Sequence, residues 1–418
     1  MVRILFLLAL LLSVIPLSAD TDTATRILDR RFRSLKTEIE GDFMAPPVIR
    51  MGTQDRIVIT FDEIGEDNSY LEYRLIHCNS DWQPSRLIES EYVSGFNSAR
   101  IDDYAFSQST FVHYVNYLIS LPNEDMQILH SGNYLLQVYD PDDPDTTLLQ
   151  TRFQVTENIA YVEGASTSRT DRGHNTEWQQ VAFSIDHEAL GDINAYQDLI
   201  VEVTRNLSDD TRRTVRSPLR VERNRAFYDH MPDLVFPASN EYRRFESVSN
   251  AFPGMNVDSL RYMGTNYHVW LRHDEERASR QYSHDVTQHG RFIVREYNAT
   301  DSNVGADYIT VHFTLDFPML TEGDIYVDGE FTHGLYNDFN RMRHDPATGL
   351  YSAEIPLKQG AYNYQYVIRG HGAGAKADPA PIEGNKYETD NEYSVSVFFR
   401  PPGARADRLV SHAVLHPL

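Results

Sequence analysis

Cysteine is nearly absent: Cys78 is the only one in 418 residues. A lone cysteine excludes an internal disulfide and a cysteine-rich zinc site. Basic residues are scarce as well, 38 Lys+Arg against 61 Asp+Glu, for a formal net charge of −23. A chain that acidic repels phosphate backbones and anionic lipid heads, which argues against nucleic-acid binding and peripheral membrane attachment. Past the first 19 residues no apolar run reaches the roughly 20 residues that a membrane span needs. Helical periodicity between the apolar stretches is missing too, which points away from helical bundles and α/β folds. No Gly-x-Ser-x-Gly elbow is present, and His187-Glu188 lacks the second histidine of a zinc-protease helix.

What is present is aromatic and apolar. Hydrophobic residues make up 41%, with 25 Tyr and 20 Phe, enough apolar surface to offset the entropy of ordering most of the chain. The length exceeds a single core and predicts two to four domains. Residues 1–19 carry Arg3, an apolar run from Ile4 to Ile15, and then Pro16-Leu17-Ser18-Ala19. They read as a signal peptide cleaved after Ala19, with no lipid anchor because no cysteine follows. The mature protein is therefore expected to be exported and soluble.

From Arg56 onward the pattern has period two. Ile57, Ile59 and Phe61 alternate with Val58 and Thr60; Leu71, Tyr73 and Leu75 alternate with Glu72 and Arg74. Phe111 to Leu121, Tyr134 to Tyr139 and Leu149 to Val155 continue the series, and the acidic turn Asp140 to Asp145 separates the last two. Short strands with Gly, Pro and Asp turns predict a first β-sandwich over 20–157. Residues 158–300 hold strand-like runs at Val181 to Ile185, Leu199 to Val203 and Tyr267 to Leu271, and predict a middle β-domain with long loops. Ile309 to Leu315, Tyr362 to Ile368 and Tyr393 to Phe399 predict a third sandwich over 301–402, followed by a tail over 403–418. The predicted fold class is all-β: three consecutive immunoglobulin-like or early-set sandwiches in a row.

Several strings could carry chemistry. His77 and Cys78 are neighbours on a strand and so point to opposite faces, which denies Cys78 a local base. His273 to Glu276, His284 and His289 match no metal spacing. Asp140 to Asp145 lacks the glycine and distal glutamate of a calcium loop. Gly370 to Lys376 reads as a hairpin tip, because no helix follows to bind phosphate. The sequence thus assigns no catalytic, cofactor-binding or metal-binding residue, and predicts a protein that is not an enzyme.

Two sets of strings resemble known families. Ile325 to Phe331, Asn340-Arg341-Met342, Gly349-Leu350-Tyr351 and Leu357 to Tyr366 resemble early-set immunoglobulin-like domains, which include glycogen-binding modules. Those modules stack Trp on sugar. Here Thr332 to Tyr336 occupies that place, leaving Tyr336 and Phe339 as candidates for weak glycan stacking. A wider set comprises Ile76 to Trp82, Glu91 to Asn97, Leu121 to Asp125, Ser131 to Tyr134, Phe236 to Phe245 and Thr389 to Tyr393. In that order these strings resemble the plug-protein family of the Bacteroidetes type IX secretion system, over roughly residues 25–405.

The second resemblance implies a periplasmic protein that closes the inner mouth of a large outer-membrane translocon barrel, with that barrel as its partner. It implies neither nucleic-acid binding nor membrane insertion. We expect a monomer on its own, a rod of three domains. The tail after the third sandwich has no room for the extra β-domain of secreted cargo, so the chain reads as apparatus. Partner contact is expected from two loops rich in the residue types that anchor interfaces: Trp82, Tyr92 and Phe96 in the first domain, and Tyr242, Arg243, Arg244 and Phe245 in the second. The rival expectation is a secreted glycan-binding protein that uses its third domain.

Overall fold

The computed structural model describes residues 22–372 and 374–418, so the predicted signal peptide lies outside the described residues. The fold is all-β and built from sandwiches. In the first unit, one sheet runs Phe32–Ile39, Ile57–Ile64, Tyr114–Leu121, Tyr104–Phe106. The facing sheet runs Arg26–Ile27, Asp143–Thr156, Gly132–Asp140, Glu72–Cys78, Ala99–Arg100, with Val48–Arg50 parallel to Asp143–Thr156. Alternation along each strand sends Ile57, Ile59, Phe61, Leu75, Tyr134 and Phe153 inward, and the two sheets close on them. Ring pairs Phe61–Tyr117 and Tyr134–Phe153 stack with centroids 5.2 and 5.4 Å apart. The strand expected from Phe111 begins only at Tyr114, and Phe111 lies in the preceding loop, half exposed.

The middle unit differs from the expectation. One of its sheets runs Tyr161–Thr167, Trp178–Asp186, Arg225–Tyr228, Arg220–Glu222. The other runs Arg213–Val215, Leu199–Arg205, Tyr393–Phe399, Arg408–Leu415. Tyr393–Phe399 therefore does not end the third sandwich: it pairs with Leu199–Arg205, from Leu199 opposite Phe399 to Arg205 opposite Tyr393. Residues 403–418, expected as a tail, supply the next strand of that sheet. Val395, Val397 and Val410 are buried with Val181, Ile185 and Val201 in one core. Period-two patterning identifies a strand but not its partner, and here the partner lies about 200 residues away.

The third unit is an insertion in the middle one. Arg243–Ser247, Val257–Met263, Asn266–Leu271 and Phe292–Val294, which the sequence assigned to the middle domain, pair within the sheets of Tyr308–Asp316 and Gly360–Arg369. Phe245 sits fully buried in this core, stacked on Tyr362 at 5.1 Å. The three sandwiches are thus nested rather than consecutive.

They do not form a rod either, because each unit touches the other two. First and third meet at a buried ion pair: Lys358 Nζ lies 2.7 Å from Asp62 Oδ2, with the side chains 2% and 0% exposed. Tyr308 Oη donates to the same carboxylate at 2.6 Å, and Asn116 Nδ2 donates to its other oxygen at 2.7 Å. Lys358 also donates to the Asn303 carbonyl and sits 4.0 Å from the centroid of the Tyr114 ring. First and middle units meet through Arg408–Glu157 and through Ser80 N–H donating to Asp407 at 2.8 Å. The buried pair Arg291–Glu392 and the bond from Tyr336 Oη to Asp210 (2.9 Å) tie the third unit to the middle one.

Breaking one side of a buried, hydrogen-bonded ion pair leaves an uncompensated charge, a loss of roughly 3–5 kcal/mol. Lys358→Met is therefore expected to destabilise the protein by about that amount in urea titration, with a smaller loss for Lys358→Met combined with Asp62→Leu. Equal losses in the single and double variants would show that the pair carries no such role.

Candidate functional site: the three-domain junction and the exposed aromatics

All three units contribute walls to a cavity of about 430 Å³. The first brings Lys36, Trp82 and Arg152, the middle unit Glu202, Asp209 and Arg212, and the third Tyr242, Arg291, Asp328 and His333. Trp82 is 6% exposed and its backbone is left-handed (φ 62°), an uncommon state for a bulky residue. A turn holds it there, with Trp82 N–H donating to the Asn79 carbonyl and Asn79 N–H to the Gln83 carbonyl, both at 2.9 Å. The ring lies under the Arg152 guanidinium at 4.3 Å, and Arg152 pairs with Asp209 of the middle unit at 2.7 Å. Asp209 and Glu202 both pair with Arg212. The tryptophan loop is thus a joint between domains, built from a cation–π contact and a chain of ion pairs.

Tyr242 enters the cavity from the third unit, where Gly290 (φ 91°) makes room for it. A Cβ on Gly290 would come within 2.9 Å of the Tyr242 ring. Asp328 is buried, and desolvation raises its carboxyl to about 6 against hydrogen bonds from Gln365 and Thr332 that favour the anion. Burial alone lowers His333 and His412, also in the wall, to about 4. A cavity lined this way suits water or small polar solutes.

The structure brings together Trp82 and Tyr242 of the expected partner-binding residues, but inside the molecule. Tyr92 is buried against Tyr134, and its hydroxyl donates to the Leu75 carbonyl at 3.1 Å. Arg243 is held by Glu383 at 3.0 Å and Asp274 at 2.7 Å. Arg244 pairs with Asp285 at 2.8 Å and is partly exposed. Phe245 is core, as described above. These placements correct the expectation that both loops display aromatic and Arg anchors: the same side chains that could anchor a partner anchor one domain to another or fill a core. Phe96 alone stands open, 85% exposed. Of the glycan candidates, Tyr336 packs edge-on to Tyr326 and under Arg369 with its hydroxyl on Asp210, while Phe339 is 37% exposed.

His77 and Cys78 are both buried. Burial pushes the Cys78 thiol up to about 12 and His77 down to about 4. His77 donates from Nε2 to the Ser131 carbonyl (3.0 Å) and faces the Ser85 hydroxyl with Nδ1 (2.9 Å), so both ring nitrogens are engaged in structure. Among the described residues no cluster of three or more His, Cys, Asp or Glu is placed to hold a metal ion. No described helix is long and apolar enough to cross a membrane.

Further exposed aromatics lie elsewhere. Tyr104 and Phe106 sit on an edge strand, and Phe111 packs against Tyr262 and Tyr267 of the third unit at 5.0 and 5.5 Å. The signal was weak, since Tyr104-Ala105-Phe106 is too short for periodicity and Phe111 looked like strand interior.

Comparison with known proteins supplies the remaining observations. Residues 32–157 match the family described as type 9 secretion system plug protein, first domain. A crystal structure of a hypothetical protein from Parabacteroides merdae is 36% identical, with a TM-score of 0.91 over 94% of this chain and 99% of that one. An alkylpurine DNA glycosylase of Pseudomonas fluorescens bound to abasic-site DNA aligns at 9% identity over 30% of each chain, with a TM-score of 0.18, and no argument rests on it. No curated protein matches.

The buried histidines give a pH dependence. Held neutral in the fold at about 4, His77 takes up its proton in the unfolded chain near 6.5, so its contribution is intact above pH 6.5 and is lost as pH falls toward 4. His333 and His412 act in the same direction, and Asp328 opposes them between about 6 and its unfolded value of 3.8. Chemical denaturation at pH 7 and pH 5 is expected to show lower stability at pH 5. His77→Gln should flatten that slope, by at most about 3 kcal/mol between pH 7 and pH 4. An unchanged slope would refute the assignment.

Proposed function

The chain belongs to the type 9 secretion system plug protein family, and from that premise we propose that it closes the periplasmic mouth of the system's outer-membrane translocon barrel. The role is steric and non-enzymatic. The observation that carries it is the mutual contact of the three sandwiches. Domains in one chain ordinarily move against each other unless their interfaces are extensive, and a hinged body seals an opening poorly. Here Asp62–Lys358, Arg291–Glu392 and Arg152–Asp209 join every pair of units. These contacts oppose hinging between the units, which suits obstruction.

The chemistry of the interior supports the same reading. The one thiol is buried with a raised pKa, and the adjacent imidazole is committed to Ser85 and Ser131, so neither serves as nucleophile or base. The family match supports a periplasmic location, for which the apolar run Ile4 to Ile15 would serve as the export signal. The glycan-binding alternative gains no support from Tyr336 and Phe339 as placed.

Deleting the chain is expected to make the outer membrane permeable to a large fluorescent solute, and removing the barrel as well should restore the seal. The tagged protein should also recover the barrel on purification. Unchanged permeability together with no recovered barrel would defeat the proposal.

A further inference from the structure

Tyr104–Phe106 ends the sheet Phe32–Ile39, Ile57–Ile64, Tyr114–Leu121, Tyr104–Phe106, pairing only with Tyr114–Leu121. The bonds that flank this pairing run from Leu118 N–H to the Asp103 carbonyl (2.9 Å) and from Ser107 N–H to the Tyr114 carbonyl (2.8 Å). Bonding in an antiparallel ladder alternates. Ala105 therefore turns its N–H and C=O toward Asn116, while those of Tyr104 and Phe106 point away from the sheet. All three residues are exposed, Phe106 at 47%.

Edges of this kind invite pairing, and proteins usually guard them with charge, proline, bulges or a cover. Several other edges among the described residues are guarded. Arg343–Asp345 reads Arg-His-Asp, and Arg220–Glu222 reads Arg-Val-Glu. Val257–Met263 carries Asp258 and Arg261 and a register shift after Val257. Tyr161–Thr167 is covered at its end by the bridge from Ser166 to Pro417 and by Leu418 N–H donating to the Ser166 carbonyl. Tyr104–Phe106 has no charge, no proline and no bulge. Two acidic residues precede it: Asp102 lies 2.7 Å from Arg100, and Asp103 is exposed next to Tyr104 with its carbonyl on Leu118. Beyond the hairpin's loop, Phe111, Tyr262 and Met263 form a half-exposed apolar border.

We propose that Tyr104–Phe106 is a docking edge that accepts, by β-augmentation, an extended segment of the translocon barrel protein lying outside its closed sheet. The inference rests on the plug reading and names the contact by which the plug is held. An extended backbone is the occupant because the open groups are two N–H donors and two C=O acceptors at strand spacing, which a helix or a flat side-chain surface does not match. Main-chain bonds supply affinity, and the rings of Tyr104 and Phe106 cover the flank of the added strand.

The test measures binding of the full-length chain to detergent-solubilised barrel purified from cells lacking it. Phe106→Pro removes an outward N–H without taking a bond from the sheet, and Phe106→Lys installs an edge guard while keeping the backbone. Each is expected to weaken binding about tenfold or more, with melting temperatures near wild type. Phe106→Val keeps both the backbone groups and strand preference, and is expected to bind within about threefold of wild type. Wild-type affinity in both Phe106→Pro and Phe106→Lys would overturn the edge assignment. Loss in Phe106→Val equal to that in Phe106→Pro would place the contact in the ring and overturn strand pairing. Light scattering that shows a wild-type dimer abolished by Phe106→Pro, with barrel binding intact, would give the edge to a second copy and overturn the proposal. Absence of wild-type binding would remove the plug reading and this occupant together, whereas the preceding outcomes leave that reading standing.

Discussion

The carboxylate of Asp62 is the point on which the architecture turns. It lies on the outer face of a first-unit strand, where a lone buried charge would be costly, and two of its three partners come from outside its own domain. Lys358 and Tyr308 reach it from the third unit, and Asn116 from the neighbouring strand. Separating the two domains breaks both bonds from the third unit, and a sliding displacement would leave the carboxylate buried without them. The pair adds little net stability over an apolar contact of equal volume, but it makes one relative placement of the domains far better than its neighbours. Arg152–Asp209 under Trp82 and Arg291–Glu392 do the same for the other two seams.

This arrangement explains why the interface-rich residue types were misleading as pointers to a partner. Trp, Tyr and Arg anchor contacts because they combine area with directed bonds, and a three-domain protein needs such anchors within itself. Trp82, Tyr92, Tyr242 and Arg243 are used there. What faces outward is less conspicuous in sequence: a three-residue edge and a few rings from separate segments.

Legibility in the sequence followed the range of the interaction. Alternation at Ile57 to Phe61, Leu71 to Leu75 and Ile309 to Leu315 identified strands correctly, because a strand's two faces are a local property. The fate of His77 and Cys78 was also legible, since adjacent residues on a strand diverge. Pairing was not. Nothing in Tyr393 to Phe399 distinguishes a strand that closes the third sandwich from one that returns to Leu199–Arg205, and the partnership is set by packing against Val181 and Val201. The cavity wall was equally hidden, because Trp82, Asp209 and Asp328 are brought together only by the nesting of one domain in another.

That nesting has a consequence for how the molecule comes into being. As the chain emerges from its N-terminus, the first sandwich can complete itself from residues already made, and so, later, can the inserted one. The middle sandwich cannot. Leu199–Arg205 waits for Tyr393–Phe399, about 200 residues later, and for Arg408–Leu415 beyond it. Until then the middle unit holds half a sandwich with an apolar sheet face uncovered, the condition in which β-proteins aggregate. Assembly is therefore gated by residues 393–415: the step that completes the middle core also seats Arg408 on Glu157 and Asp407 on Ser80. Loss of residues 408–415 would uncover the middle core while leaving the cores of the first and third units complete.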